Sequence, residues 1–290
     1  MTKRKIIKTT GLTLVGLIVL VLVVIYTWST VFLNKTYSIP LSEISIPHDA
    51  ASIAEGGRLV HIAHCGDCHN DHLTGHVFEA IPKNIATLVA PNLTQKVPTY
   101  SDAELVRLLR YGVKKNGHSI LIMPAFMYHE LKKESIGKII AYLRSLPRQP
   151  TPPDVPSSSS YTFLGRLLLV QGKVERIADM IQPNTEGKFV HFDTTAVSFG
   201  RYLAMSTCTS CHGVDLKGVP DLGPDLVIAA SYGKSDFFKL IRTGEALGNR
   251  KNIGLMSDIT QKYLCHLNDH EIESIYAFLQ TRPTQSKSEK

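Results

Sequence analysis

Cys65-Gly66-Asp67-Cys68-His69 and Cys208-Thr209-Ser210-Cys211-His212 write one pattern, C-x-x-C-H, twice in a chain of 290 residues. Two thiols with two residues between them can add across the two vinyl groups of a porphyrin. The next residue, a histidine, then falls beneath the iron. The pattern is the attachment signature of a c-type haem, and its repetition predicts two covalently attached haem c groups. Cys65, Cys68, Cys208 and Cys211 are the expected attachment residues, and His69 and His212 the expected proximal iron ligands. A thioredoxin-like site would need one C-x-x-C beside a βαβ pattern and no obligatory histidine after it.

The N-terminal region places these motifs. Residues 11–33 carry no charge and are rich in Leu, Val and Ile. At about 1.5 Å per residue they are long enough to cross a hydrocarbon core of about 30 Å. Lys3, Arg4, Lys5 and Lys8 precede the run with no acid among them, which orients the N-terminus to the cytoplasm. Tyr26, Trp28 and Phe32 stand toward the far end, where amphipathic rings favour the interface. A cleaved signal peptide would have a shorter apolar region and an A-x-A-like site, which residues 29–38 lack. The expectation is an uncleaved anchor over residues 1–35 in a bacterial inner membrane, with the rest facing the periplasm. Five of the 32 Lys and Arg lie in residues 1–35, leaving 27 against 25 acids in the exported part, a charge of +2. That balance points to no nucleic-acid partner.

The exported part repeats, and the repeat predicts the fold. Gly57-Arg58 and Gly200-Arg201 stand at the same offset before the motifs, and Gly75 and Gly218 at the same offset after them. Pro91-Asn92-Leu93 answers to Pro224-Asp225-Leu226, and Leu109-Arg110-Tyr111-Gly112 to Ile241-Arg242-Thr243-Gly244. An apolar helix around Tyr142-Leu143 or Phe278-Leu279 closes each copy. The class is all-α: two haem units, residues 48–147 and 191–282, after one transmembrane helix. Residues 148–190 connect them, beginning with a Pro/Ser-rich linker expected to let the units adjust. Residues 161–181 then have the apolar spacing of an amphipathic helix, expected to pack between the units.

The face of each iron opposite its histidine decides what the protein can do. Met123, thirteen residues after Arg110, and Met256, fourteen after Arg242, occupy equivalent places and are the expected distal ligands. Met127 is the rival in the first copy. Thioether ligation favours the reduced iron and closes it to oxygen or peroxide, as electron carriage requires. The carbonyls of Pro91 and Pro224 are candidates to accept from the proximal histidine rings. Arg58, Arg110, Arg201 and Arg242 are candidates to hold propionates. Cys265 is spare, as a small buried residue or else a reactive thiol or ligand.

These residues together resemble the class I cytochrome c family, in tandem, over residues 48–147 and 191–282. More narrowly, Ile122-Met123-Pro124-Ala125-Phe126 with Ala141-Tyr142-Leu143-Arg144-Ser145-Leu146-Pro147 is similar to the cytochrome c subunits of membrane-bound bacterial alcohol and aldehyde dehydrogenases. Those subunits carry three haems against two here, and Asn70 replaces the Gly213 of the second copy. The resemblance implies an electron-transfer protein that is not itself an enzyme. It would carry electrons from a dehydrogenase or quinol-oxidising complex to a terminal oxidase or reductase. The alternative is a dihaem enzyme with one catalytic haem, of the peroxidase or thiosulfate dehydrogenase type.

Overall fold

A computed structural model describes residues 3–181 and 191–286. Met1 and Thr2 of the basic tip and residues 182–190 of the connector lie outside the described residues. The first helix, α1 (Lys3–Leu33), holds a stretch Ile7–Leu33 of 27 residues with a mean hydropathy of 2.5. It is long and apolar enough to cross a membrane, and nearly all of it faces outward from the fold. Ile25 and Ser29, one turn apart, are the buried positions on it.

The first unit contains α2 (Ala50–Ile62), α3 (Cys65–His69), α4 (Leu93–Lys96), α5 (Asp102–Tyr111), α6 (Ala125–His129) and α7 (Lys133–Ser145). The connector carries α8 (Phe163–Val170) and α9 (Ile177–Met180). The second unit has α10 (Ala196–Thr207), α11 (Thr209–His212), α12 (Lys234–Thr243), α13 (Leu255–Lys262) and α14 (Asp269–Ser286). Sheet is minor. Strand β1 (His76–Val77) pairs antiparallel with β3 (Val89–Ala90), and β2 (Ala86–Thr87) with β4 (Ser160–Tyr161).

Local chemistry sets the helix ends. The Asp49 and Thr195 side chains accept from the backbone N–H groups of Ser52 and Ser198, starting α2 and α10. Ser101 and Glu104 form a reciprocal capping box on α5. Gly112 and Gly244, at φ of 65° and 75°, stop α5 and α12 in the left-handed conformation a glycine adopts without penalty.

In each unit the helix that leads into the motif, α2 or α10, crosses the closing helix, α7 or α14, at a glycine. A Cβ on Gly56 would lie 2.0 Å from the Lys138 carbonyl oxygen, and one on Gly200 would lie 1.8 Å from that of Ser274. The structural equivalent of Gly200 is therefore Gly56, not the Gly57 that equal offsets select. A Cβ on Gly57 would meet the Tyr142 ring instead, at 2.9 Å. The first unit has one extra residue between this crossing and its motif, absorbed at His64, which takes the left-handed conformation (φ 57°) between α2 and α3. Arg58 consequently corresponds to Tyr202, and Arg201 to Gly57.

The connector departs from expectation twice. Its Pro/Ser stretch is strapped to the first unit: Asn92 Nδ2 donates to the Gln149 carbonyl at 3.0 Å, the Val89 N–H donates to Ser159 Oγ at 2.9 Å, and β4 pairs with β2. The amphipathic helix is broken at Gly172 (φ 68°), and α8 packs on α1 rather than between the units. Arg166 Nη1 donates to Ser29 Oγ at 2.9 Å and to Thr30 Oγ1 at 3.3 Å, satisfying a charge that a core helix would leave costly.

The two units share one apolar core, in which Val60, Ile62 and Ile140 join Leu203, Ile272 and Leu279. They meet about a pseudo-symmetric contact. α6, which follows Met123, touches α10, and the turn Leu264–His266, which follows α13, touches α2. Across it Arg58 reaches Glu271 at 2.7 Å, His61 stacks on His266 at 4.5 Å, and Lys262 reaches Asp71 at 2.6 Å. The Lys132 N–H donates to Tyr202 Oη at 3.3 Å.

Candidate haem sites

α3 and α11 each present a Cys-x-x-Cys-His turn with its histidine buried at the end, His69 and His212 both 8% exposed. Each ring is held from behind. His69 Nδ1 lies 2.7 Å from the Pro91 carbonyl, and His212 Nδ1 lies 2.7 Å from the Pro224 carbonyl. A carbonyl can only accept, so Nδ1 carries the proton and Nε2 keeps its lone pair for a metal. Burial lowers the pKa of both histidines, against the pull of those carbonyls, and favours the neutral imidazole that ligation requires.

A loop built twice brings each carbonyl into place. The Gly75 N–H donates to the His69 carbonyl at 3.0 Å, and the Gly218 N–H donates to that of His212 at 2.9 Å. Leu73 and Leu216, both left-handed, accept from the N–H groups of Leu93 and Leu226. A Cβ on Gly75 or Gly218 would stand 2.9 Å or 2.8 Å from the N of Asn92 or Asp225. Asn70 (φ 59°, ψ 171°) holds the same positive-φ, extended conformation as Gly213 (φ 80°, ψ 156°), a region that favours glycine. Its side chain also works locally. Oδ1 accepts from the backbone of His72 and Thr74, and Nδ2 donates to the Gly75 carbonyl at 2.7 Å.

None of the five cysteines is paired in a disulfide. Burial pushes Cys65 and Cys208 up to about 12 and Cys68 up to about 11, so these are neutral thiols in contact with apolar surroundings. Met123 and Met256 are half-buried and pack, together with Cys65 and Cys208, against the shared core. Met123 lies in the loop before α6, and Met256 in the first turn of α13. Met127 sits inside α6, 1% exposed within the core, and Met205 lies on α10, the helix that leads into the second motif. Cys265 is half-buried, its thiol 3.1 Å from the Gln261 carbonyl. The residues present fit a covalently held haem at each motif: paired thiols, an imidazole with Nε2 released and its ring fixed, and a soft thioether donor bordering the same core.

Several surrounding residues have roles that sequence spacing did not reveal. Arg58 is held by Glu55 at 2.8 Å and Glu271 at 2.7 Å, so it joins the units instead of waiting for a propionate. Arg110 Nη2 donates to the Leu131 carbonyl at 2.9 Å. Arg242 donates to the carbonyls of Cys265 and Leu267 and pairs with Asp269 at 2.6 Å. Leu131 and Leu267 are equivalent, and these two arginines brace the segment after each methionine loop. Arg201 is exposed on α10. His64, whose Nε2 is buried without a partner and whose pKa burial lowers to about 4, stacks on Tyr263 of the other unit at 5.1 Å. No spacing in the sequence signals this contact.

Comparison with known proteins agrees with this geometry. Residues 197–283 match the family described as Cytochrome c, and residues 51–143 match the family described as Cytochrome C oxidase, cbb3-type, subunit III. A protein of Mycobacterium leprae (strain TN), described as "Cytochrome bc1 complex cytochrome c subunit", is 29% identical over 120 residues. That alignment covers 40% of this chain and 38% of the relative. The chain carries cytochrome c domains on a mostly helical fold behind one N-terminal apolar helix, and such domains imply covalently bound haem c.

Proposed function

We propose that this chain is a membrane-anchored dihaem c-type cytochrome that passes electrons from a quinol-oxidising complex or a dehydrogenase to a terminal oxidase or reductase. Cys65 and Cys68 attach one haem and Cys208 and Cys211 the other. His69 and Met123 ligate the first iron, and His212 and Met256 the second. Residues 1–35 anchor the protein with the N-terminus in the cytoplasm, and the units 48–147 and 191–282 face the periplasm. Bound haem supplies a reversible one-electron couple. The protein fixes each histidine through a proline carbonyl, buries its ring, and offers a thioether that leaves no open position for a substrate.

The observation that carries the reading is the duplication of one ring-fixing arrangement in two units that share a core. Two such stations in one chain suit stepwise passage of electrons. The relative described as a bc1 complex subunit favours a quinol-oxidising complex as electron donor over an alcohol or aldehyde dehydrogenase.

The test is the far-red charge-transfer band of oxidised Met-ligated haem, quantified per haem on the membrane-solubilised full chain. Intensity for two Met ligands is expected, with about half lost in Met123→Ala and half in Met256→Ala. Unchanged intensity in either variant would remove that methionine as ligand in favour of another thioether, Met127 in the first unit, whereas wild-type intensity for one Met ligand or none would leave an iron with another ligand or an open face, suited to the catalytic alternative.

A further inference from the structure

We propose that α8 is a membrane-surface helix, a second lipid contact that seats the first unit against the bilayer; this rests on reading α1 as a membrane span. The rise from Lys8 to Ser29 along α1 is about 31 Å at 1.5 Å per residue, which matches a hydrocarbon core of about 30 Å. Charge returns at that level. The Arg166 guanidinium lies 4.8 Å from the Tyr26 ring and bonds Ser29 and Thr30, Arg176 lies 4.2 Å from the Phe32 ring, and Lys35 pairs with Asp179. This basic belt falls where headgroups would be, and α8 lies beside it.

One side of α8 is taken by protein. A Cβ on Gly165 would stand 2.2 Å from the Ile85 carbonyl of the first unit, and Leu169 is buried. Phe163 and Leu164 are left exposed at 43% and 39%, as are Met180 on α9 and, on α1, Trp28 and Val31. α8 packs on α1, whose own apolar side chains face outward. An exposed Phe–Leu face beside a basic belt is the arrangement of an interfacial helix. Among the described residues Arg166 has hydroxyl partners and no carboxylate within ion-pair distance, and Lys173 is exposed. Both suit anionic lipid.

Site-directed nitroxides test this in the full, haem-loaded chain reconstituted in vesicles of phosphatidylcholine and phosphatidylglycerol. The spare thiol is first removed as Cys265→Ser, which keeps a donor toward Gln261. Labels then go on Leu20→Cys in the span and Leu164→Cys on α8. Loss of collisions with an aqueous nickel chelate and gain of collisions with dissolved oxygen at both positions is the expected result. Lipid access at 20 with full aqueous access at 164 overturns the proposal and leaves the anchor intact. Shielding from both quenchers at 164 means protein covers this face, and also overturns it. Aqueous access at 20 overturns the anchor reading itself. Soret absorbance per chain verifies loading in each variant.

Discussion

At the residue scale, the tightest constraints are glycines and their stand-ins. Gly56 and Gly200 let the motif helix lie directly on the carbonyls of Lys138 and Ser274, backbone against backbone, where nothing can swing aside. Gly56→Ala and Gly200→Ala are each expected to destabilise the haem-loaded protein by about 2 kcal/mol or more, read from denaturant unfolding. Gly57→Ala meets only a tyrosine ring edge and should cost far less; equal losses at 56 and 57 would contradict the pairing of Gly56 with Gly200. Asn70 makes a separate prediction. Asn70→Gly relieves the positive-φ, extended conformation and loses the side-chain bonds, whereas Asn70→Ala keeps the strain and loses the bonds. The alanine variant should therefore be the less stable, by about 1 kcal/mol.

At the element scale, the segment that leaves α1 is tied to α9 of the connector through one carboxylate. Asp179 accepts from Tyr37 Oη at 2.6 Å, Lys35 Nζ at 2.9 Å and Arg176 Nε at 2.7 Å. Burial works to raise its pKa, but these donors outweigh it and hold the carboxyl below its ordinary value. A depressed carboxylate stabilises the fold above its unfolded pKa of about 3.9 and loses that contribution as pH falls through the folded value. Amide exchange over residues 34–39 should therefore stay slow near neutrality and rise selectively below about pH 4. Asp179→Asn should give fast exchange at both; a wild type with no acid-specific opening would refute the assignment. The connector also shows what pattern reading cannot separate. Its apolar spacing was visible, but apolar faces at helical period do not name their partner. Only the arrangement around Ile25 and Ser29 identified it as α1.

At the scale of the whole molecule, two similar units act as one body through a shared core and an ionic clasp. Glu271 is 7% exposed, bonded to Arg58 across the contact and to the N–H of Asn268. Tyr263, 2% exposed, fills the contact against His64. The haem-loaded protein should unfold in a single calorimetric transition. Tyr263→Ala, removing a nearly buried ring, should cost about 3 kcal/mol, and combined with Glu271→Ala should split that transition in two. Two transitions already present in the wild type would mean the units are energetically independent.

By itself the sequence determined the helical class, the duplicated motif and the apolar N-terminal helix, and it named every donor atom proposed for the haems. Each of these follows from short-range chemistry: the spacing of two thiols, the residue next to them, a charge-free run, and a pattern repeated in order. Tertiary structure alone decided that Gly56 answers to Gly200, because one inserted residue is invisible until two helices cross. It also decided that Arg58 joins the units, since a guanidinium fork fits a glutamate as well as a propionate. The same holds for the connector, which binds the anchor and the first unit because contacts between distant segments depend on shape and charge that no local period encodes.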